Sequence, residues 1–172
     1  MSVSYTLYDA AILHTKEALK SLSNILKKAE GHANASSFPQ AKLAPDMLDL
    51  SFQVHFMTDT AQKIVARTTG VEPLSLARDE CNTFEGYHKR IAQVLDVVEK
   101  ADKETVEKRA GETVTIGLGP GKSADMKCRD YVQGYGIPNV FFHLSTAYGI
   151  LRKEGVELGK QDYIGSFMAG YF

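Results

Sequence analysis

Apolar positions along the chain fall into four blocks of helical spacing and one block of alternation. In the first block Tyr8, Ile12, Thr15, Leu19, Leu22, Leu26 and Ala29 step by three and four. This predicts one helical face from about residue 4 to residue 30, stopped by Gly31. A loop, HANASSFPQAK, follows, punctuated by Pro39. The stretch APDMLDLSFQVHFMTDTAQKIVART predicts a second helix entered at Pro45, where a missing N–H does no harm. Asp46 and Asp49 suit the positive end of its dipole, and Gly70 suits its C-terminal cap. Its expected apolar stripe is Leu48, Phe52, Phe56 and Ile64.

The third helix, capped by Asn82 or Thr83, buries Phe84, Tyr87, Ile91, Val94 or Leu95, and Val98. The period then changes. ETVTIGLG alternates, with Val114, Ile116 and Leu118 on one side; GPGKS is a turn signal and ADMKC a return strand. The fourth helix enters near Pro138 and runs to about Glu154, ended by Gly155. The tail VELGKQDYIGSFMAGYF, rich in glycine and aromatics, is expected to be an irregular strap. The sign-alternating run EKADKETVEKR is expected to be a solvated helix end or loop. Together these elements predict an all-α fold: a four-helix bundle, one domain over residues 1–172, with a small β-hairpin inserted before the last long helix.

Composition narrows the function classes. The chain has 172 residues, 44% hydrophobic and 24% charged, with 20 basic against 21 acidic residues and a net charge of -1. No basic stripe stands out, so neither nucleic acid nor an anionic membrane is an expected partner. No apolar run reaches the roughly 20 residues of a membrane span, and the N-terminal residues do not read as a signal peptide. Cys81 and Cys128 belong to no CxxC pair and read as free thiols of a reducing compartment. The expected location is cytoplasmic. GLGPGKS lacks the glycine spacing and the parallel-sheet context of a phosphate loop and reads as a hairpin turn.

Bundle sites are built from polar side chains that face inward from several helices. His143 is the strongest candidate. Its helical neighbours Asn139, Val140, Thr146 and Ala147 are small or polar and leave room around the ring. His55 is next, with Asp59 four residues on, a spacing at which a carboxylate orients an imidazole and raises its pKa. His14 lies beside the main stripe of the first helix, and Tyr148 can point its hydroxyl into a cavity. For each histidine the competing reading is a hydrogen-bonded core or boundary residue. His32 and His88 read as loop and surface residues.

The segments LAPDM (43–47), FQVH (52–55), PNVFFHLSTAYGILRKEGVELGK (138–160) and DYIG (162–165) resemble an uncharacterised domain-of-unknown-function family. That family belongs to the DinB-like, or YfiT-like, metalloenzyme superfamily. The resemblance implies a four-helix bundle, often a homodimer, and a metal site of three histidines, one from the second helix and two in an H-x-x-x-H of the last. Carried over, the first two positions fit His55 and His143, while the third holds Ala147. Asp59 can complete a His, His, carboxylate set that suits a divalent metal such as zinc, nickel, manganese or iron.

The leading expectation is an enzyme of isomerase or transferase type acting on a small organic substrate between the second and fourth helices. His143 is its acid, base or ligand, with His55 and Asp59 as further catalytic residues and Tyr148, Asn139 and His14 as substrate contacts. The alternatives are a non-catalytic binding or dimeric interaction module and a metal-dependent hydrolase or transferase.

Overall fold

The computed structural model describes residues 4–171. Its helices are α1 (His14–Glu30), α2 (Leu50–Thr69), α3 (Phe84–Glu99), α4 (Lys103–Lys108), α5 (Cys128–Tyr131), α6 (Ile137–Lys153) and α7 (Lys160–Met168). Strands β1 (Thr113–Gly117) and β2 (Ser123–Lys127) lie between α4 and α5. The four long helices α1, α2, α3 and α6 form the bundle, with α2 against α6 and α3, and α1 against α3, α6 and α7. Their apolar faces share one core that includes Leu22, Leu26, Met57, Ile64, Val94 and Leu144. The hairpin is antiparallel with Val114 opposite Met126 and Ile116 opposite Ala124. Val114 and Ile116 are buried, as the alternation predicts, but Leu118 lies beyond the strand and is half exposed.

Several boundaries differ from the sequence reading. Helix α2 begins at Leu50 rather than at Pro45. Asp49 is its N-cap and accepts the Phe52 N–H at 2.8 Å, while residues 44–47 close a turn through Met47 N–H to the Ala44 carbonyl. Its buried face is Leu50, Gln53, Val54, Met57, Ala61, Ile64 and Val65. Of the expected stripe only Ile64 belongs to it; Leu48 and Phe56 are 47% and 38% exposed. The core face of α2 packs against α6 and α3, and the Phe52 and Phe56 rings lie on its flank.

The tail is helical from Lys160, not an irregular strap. Asp162 accepts the Gly159 N–H at 2.7 Å, and α7 is fastened to α1 by Ser21 to the Tyr163 carbonyl and Ser166 to the Glu17 carbonyl. The sign-alternating run contains α4, capped by Asp102. Pro138 does not open a helix from a loop. Helices α5 and α6 are joined through a π-helical turn, Val132–Gly136. That wider turn draws the preceding carbonyls away from the proline ring, which lets a proline sit in a continuous helical run. No helix among the described residues is long and apolar enough to cross a membrane.

Candidate functional site

Aromatic residues displaced from the core face of α2 open a cavity instead of filling one. Phe52, Phe56, Asp59, Thr60, Lys63 and Arg67 recur along one flank of α2 and line a hollow of about 480 Å³. Tyr131, Tyr135, Asn139, Phe142 and His143 face them from the α5–α6 run, and Ile116 and Gly117 of the hairpin close one side. The Phe52 and Phe56 rings stack at 4.2 Å between centroids. His143 lies 6.2 Å from Phe52, 5.8 Å from Phe56 and 5.2 Å from Phe142.

The protonation state of His143 follows from its partners. Gln53 donates from Nε2 to the Leu48 carbonyl at 3.0 Å. A carbonyl only accepts, so the amide oxygen of Gln53 is the atom that faces His143 Nδ1, at 2.8 Å. Nδ1 therefore carries the hydrogen, and Nε2 keeps a bare lone pair. Nε2 makes no hydrogen bond within the described residues. The residue is 7% exposed, and burial pushes its pKa down to about 4, so the ring is neutral at physiological pH.

The remaining sequence candidates are dispersed. Asn139 lines the cavity and donates to the Tyr135 carbonyl at 2.7 Å. Asp59 lines it too, engaged by Lys63 and by Gln62 Nε2 at 3.0 Å. His55 is not among the lining residues. It turns toward α3, where its Nδ1 lies 3.2 Å from Arg90 Nη1 and accepts from it. The expected His55–Asp59 couple is replaced by this contact. Burial first, and the Arg90 charge second, hold the His55 pKa below the ordinary imidazole value, against the upward pull of Asp59. Arg90→Gln is accordingly expected to raise the His55 pKa in an NMR titration by more than Asp59→Asn lowers it. A larger effect of Asp59→Asn would restore the couple.

Tyr148 donates to the Leu158 carbonyl at 3.3 Å, and His14 contacts the Asp9 carbonyl and the Tyr5 hydroxyl; neither lines the cavity. His88 pairs with Glu30, and His32 packs on Phe38. A larger, more open hollow of about 670 Å³ is bordered by Ser51, Arg78 and Cys81. The Cys81 thiol there is buried and pushed up to about 11, which leaves it unreactive.

The metal set that the resemblance implies does not fit these residues. Ala147 is fully buried and offers no donor, and His55 faces a guanidinium that repels a cation. Among the described residues no three His, Cys, Asp or Glu side chains converge.

Residues 7–164 match the model of a family described as Domain of unknown function (DUF1993). The chain belongs to this family. The DUF1993 chain is also similar to a solved structure, that of a DinB family member protein from Shewanella denitrificans. The two are 36% identical over 92% of each chain, with a TM-score of 0.81. Its fold is therefore DinB-like, as the resemblance implied. No curated protein matches it.

Sequence reasoning passed over Gln53, Lys63 and Arg67. The ladder 52, 56, 59, 63, 67 was nonetheless visible at helical spacing, with aromatic residues at one end and charged ones at the other.

Proposed function

We propose that this DUF1993 protein binds a small organic compound in the α2–α6 cavity and uses Nε2 of His143 to receive a hydrogen bond, or in a reaction a proton, from it. The observation that carries this reading is the chain Leu48 carbonyl, Gln53 amide, His143 ring, which leaves an unshared lone pair on a ring that lines an aromatic-walled hollow. Pockets that hold small molecules combine apolar walls with a few oriented polar atoms in this way. The neutral ring accepts a hydrogen bond from an O–H or S–H donor; in a reaction of isomerase or transferase type that proton would pass to Nε2 and return to the same ligand. No step is assigned to a metal.

Binding without turnover is the second reading. It is favoured by Asp59, the one carboxyl among the described residues that line the cavity, being already engaged by Lys63 and Gln62. Phenol is a suitable probe because it joins a ring to an O–H donor. In long-range proton–nitrogen NMR spectra the free protein is expected to show the Nδ1-protonated tautomer. Phenol should move the Nε2 signal together with those of Phe52 and Phe56, and His143→Phe should weaken its binding. An Nε2-protonated ring, or phenol shifts confined to other parts of the fold, would defeat the proposal. Turnover of a substrate that is lost in His143→Phe separates the enzyme from the binding module.

A further inference from the structure

We infer that the compound taken up by this cavity is an elongated organic anion, with an apolar head between Phe52, Phe56 and Phe142 and an acidic group received by Arg67. The inference rests on the small-molecule reading above and names the substrate class for that site.

The argument begins with charge. Three charged side chains of α2 line the hollow: Asp59, Lys63 and Arg67. Asp59 and Lys63 neutralise each other in an ion pair one helical turn apart. Arg67 has no carboxylate within ion-pair distance among the described residues. Its Nη1 donates to the Tyr131 hydroxyl at 3.2 Å, and its guanidinium lies 4.7 Å from the centroid of the Tyr131 ring. Both contacts are neutral. They orient the guanidinium at the cavity wall and leave its charge uncompensated, with most of its five N–H donors uncommitted. A half-buried cation held in place without a counterion is a recognition element for an anion, and a planar guanidinium favours the two-oxygen geometry of a carboxylate.

Length follows from the helix. At 1.5 Å per residue, Lys63 and Arg67 stand roughly 10 and 16 Å along the axis from Phe56. With about three helical turns between the aromatic and cationic positions, a ligand longer than benzoate is suited to engaging both. A chain or fused-ring body between an apolar head and an acidic tail spans them. His143 lies at the apolar end, so its free Nε2 meets the part of the ligand farthest from the acid. An anion anchored at Arg67 thus presents its far end to the histidine, which makes Arg67 a positioning residue.

The test uses two probes that differ only in the terminal group, 6-phenylhexanoate and 6-phenylhexan-1-ol, titrated at low ionic strength and followed by NMR at Phe56, Phe142 and His143. The acid should bind on the order of 10-fold or more tightly than the alcohol, because a charge-assisted hydrogen bond at a partly desolvated site exceeds a neutral one. In Arg67→Gln the acid-to-alcohol ratio should fall to near one, and Arg67→Lys should keep part of it. Added salt should reduce the ratio in the unaltered protein, a measurement that needs no variant to fold. A ratio near one in the unaltered protein, with both probes shifting the cavity signals, overturns the anion assignment and leaves the small-molecule site standing. A ratio that survives in folded Arg67→Gln overturns the role of Arg67. Cavity signals moved by neither probe overturn the elongated anion, and the phenol titration then decides the small-molecule reading by itself.

Discussion

Acidification from pH 7 to below pH 4 is expected to destabilise the protein by about 3 kcal/mol through His143 alone. The ring is folded away from water with its pKa at about 4, against an ordinary value of 6.5, and burial is the cause. Above pH 6.5 neither the folded nor the unfolded chain protonates it, and it adds no pH dependence. As the pH falls below 6.5 the unfolded chain takes up a proton that the folded ring refuses, so unfolding becomes easier by up to about 1.4 kcal/mol per pH unit. The effect levels off once the folded ring protonates as well. The measurement is urea unfolding of the unaltered protein and of His143→Gln at several pH values between 7 and 4. Carboxyl groups and His55 titrate in both proteins, so the difference in slope isolates His143. Parallel stability curves would show that the ring is hydrated in the folded state, and the neutral-acceptor role would fall with it. In the pH range 5 to 8 the same low pKa keeps Nε2 unprotonated, so binding of a neutral donor at this atom should be flat there.

The second large effect is expected from Gly136→Val, at about 3 kcal/mol of stability. Gly136 sits in the π turn that joins α5 to α6. An ideal Cβ at this position would lie 2.8 Å from Cγ1 and 3.1 Å from Cδ1 of Ile64, a fully buried residue of α2. A β-branched side chain adds two more atoms in the same direction, and the core cannot give way without moving α2 off α6. For a domain of this size the loss corresponds to roughly 6–12 °C in Tm. The decisive comparison is a double-mutant cycle with Ile64→Ala. The alanine alone costs about 2–5 kcal/mol by leaving a cavity, yet in the Gly136→Val background it makes room, so the double variant should be clearly more stable than the sum of the two losses. Strict additivity would mean that Gly136 matters for a reason other than this contact. The contact bears on function as well, because Gly136 sets the approach of the helix that carries Asn139 and His143 to the one that carries Gln53 and Arg67.

Much of this was legible in the sequence because it is local. Alternation over five residues marks a strand, and Val114 and Ile116 do face inward. Repeats of three and four mark α1 and α3: Thr15, Leu19, Leu22, Leu26 and Ala29, and Phe84, Tyr87, Ile91, Val94 and Val98, are buried as the spacing predicts, while Ala18, Ser21, Ile25 and Arg90 join them from positions it does not name. The charge of Asp49 suits a helix start and Asp49 is the N-cap, whereas Pro45, which also reads as an entry, lies in the turn before it. His143 stands out in the sequence for its small or polar helical neighbours; it does line a hollow, but of those neighbours only Asn139 lines it as well, while Val140 and Ala147 lie in the core.

What the sequence determined by itself is thus the four long helices, the hairpin and their order, and one buried histidine, since propensity, capping and periodicity act within a few residues. Tertiary structure alone decided the rest. Helix α2 carries two apolar stripes, and only close packing against α6 and α3 determined that Val54, Ala61 and Val65 turn inward while Phe52 and Phe56 flank a cavity. His55 was separated from Asp59 by an arginine 35 positions away, and the tautomer of His143 was set by a glutamine 90 positions away. Such partners are chosen by how the helices dock. A side chain four residues along the same helix is always near, but whether it is the best available partner depends on what the neighbouring helix brings.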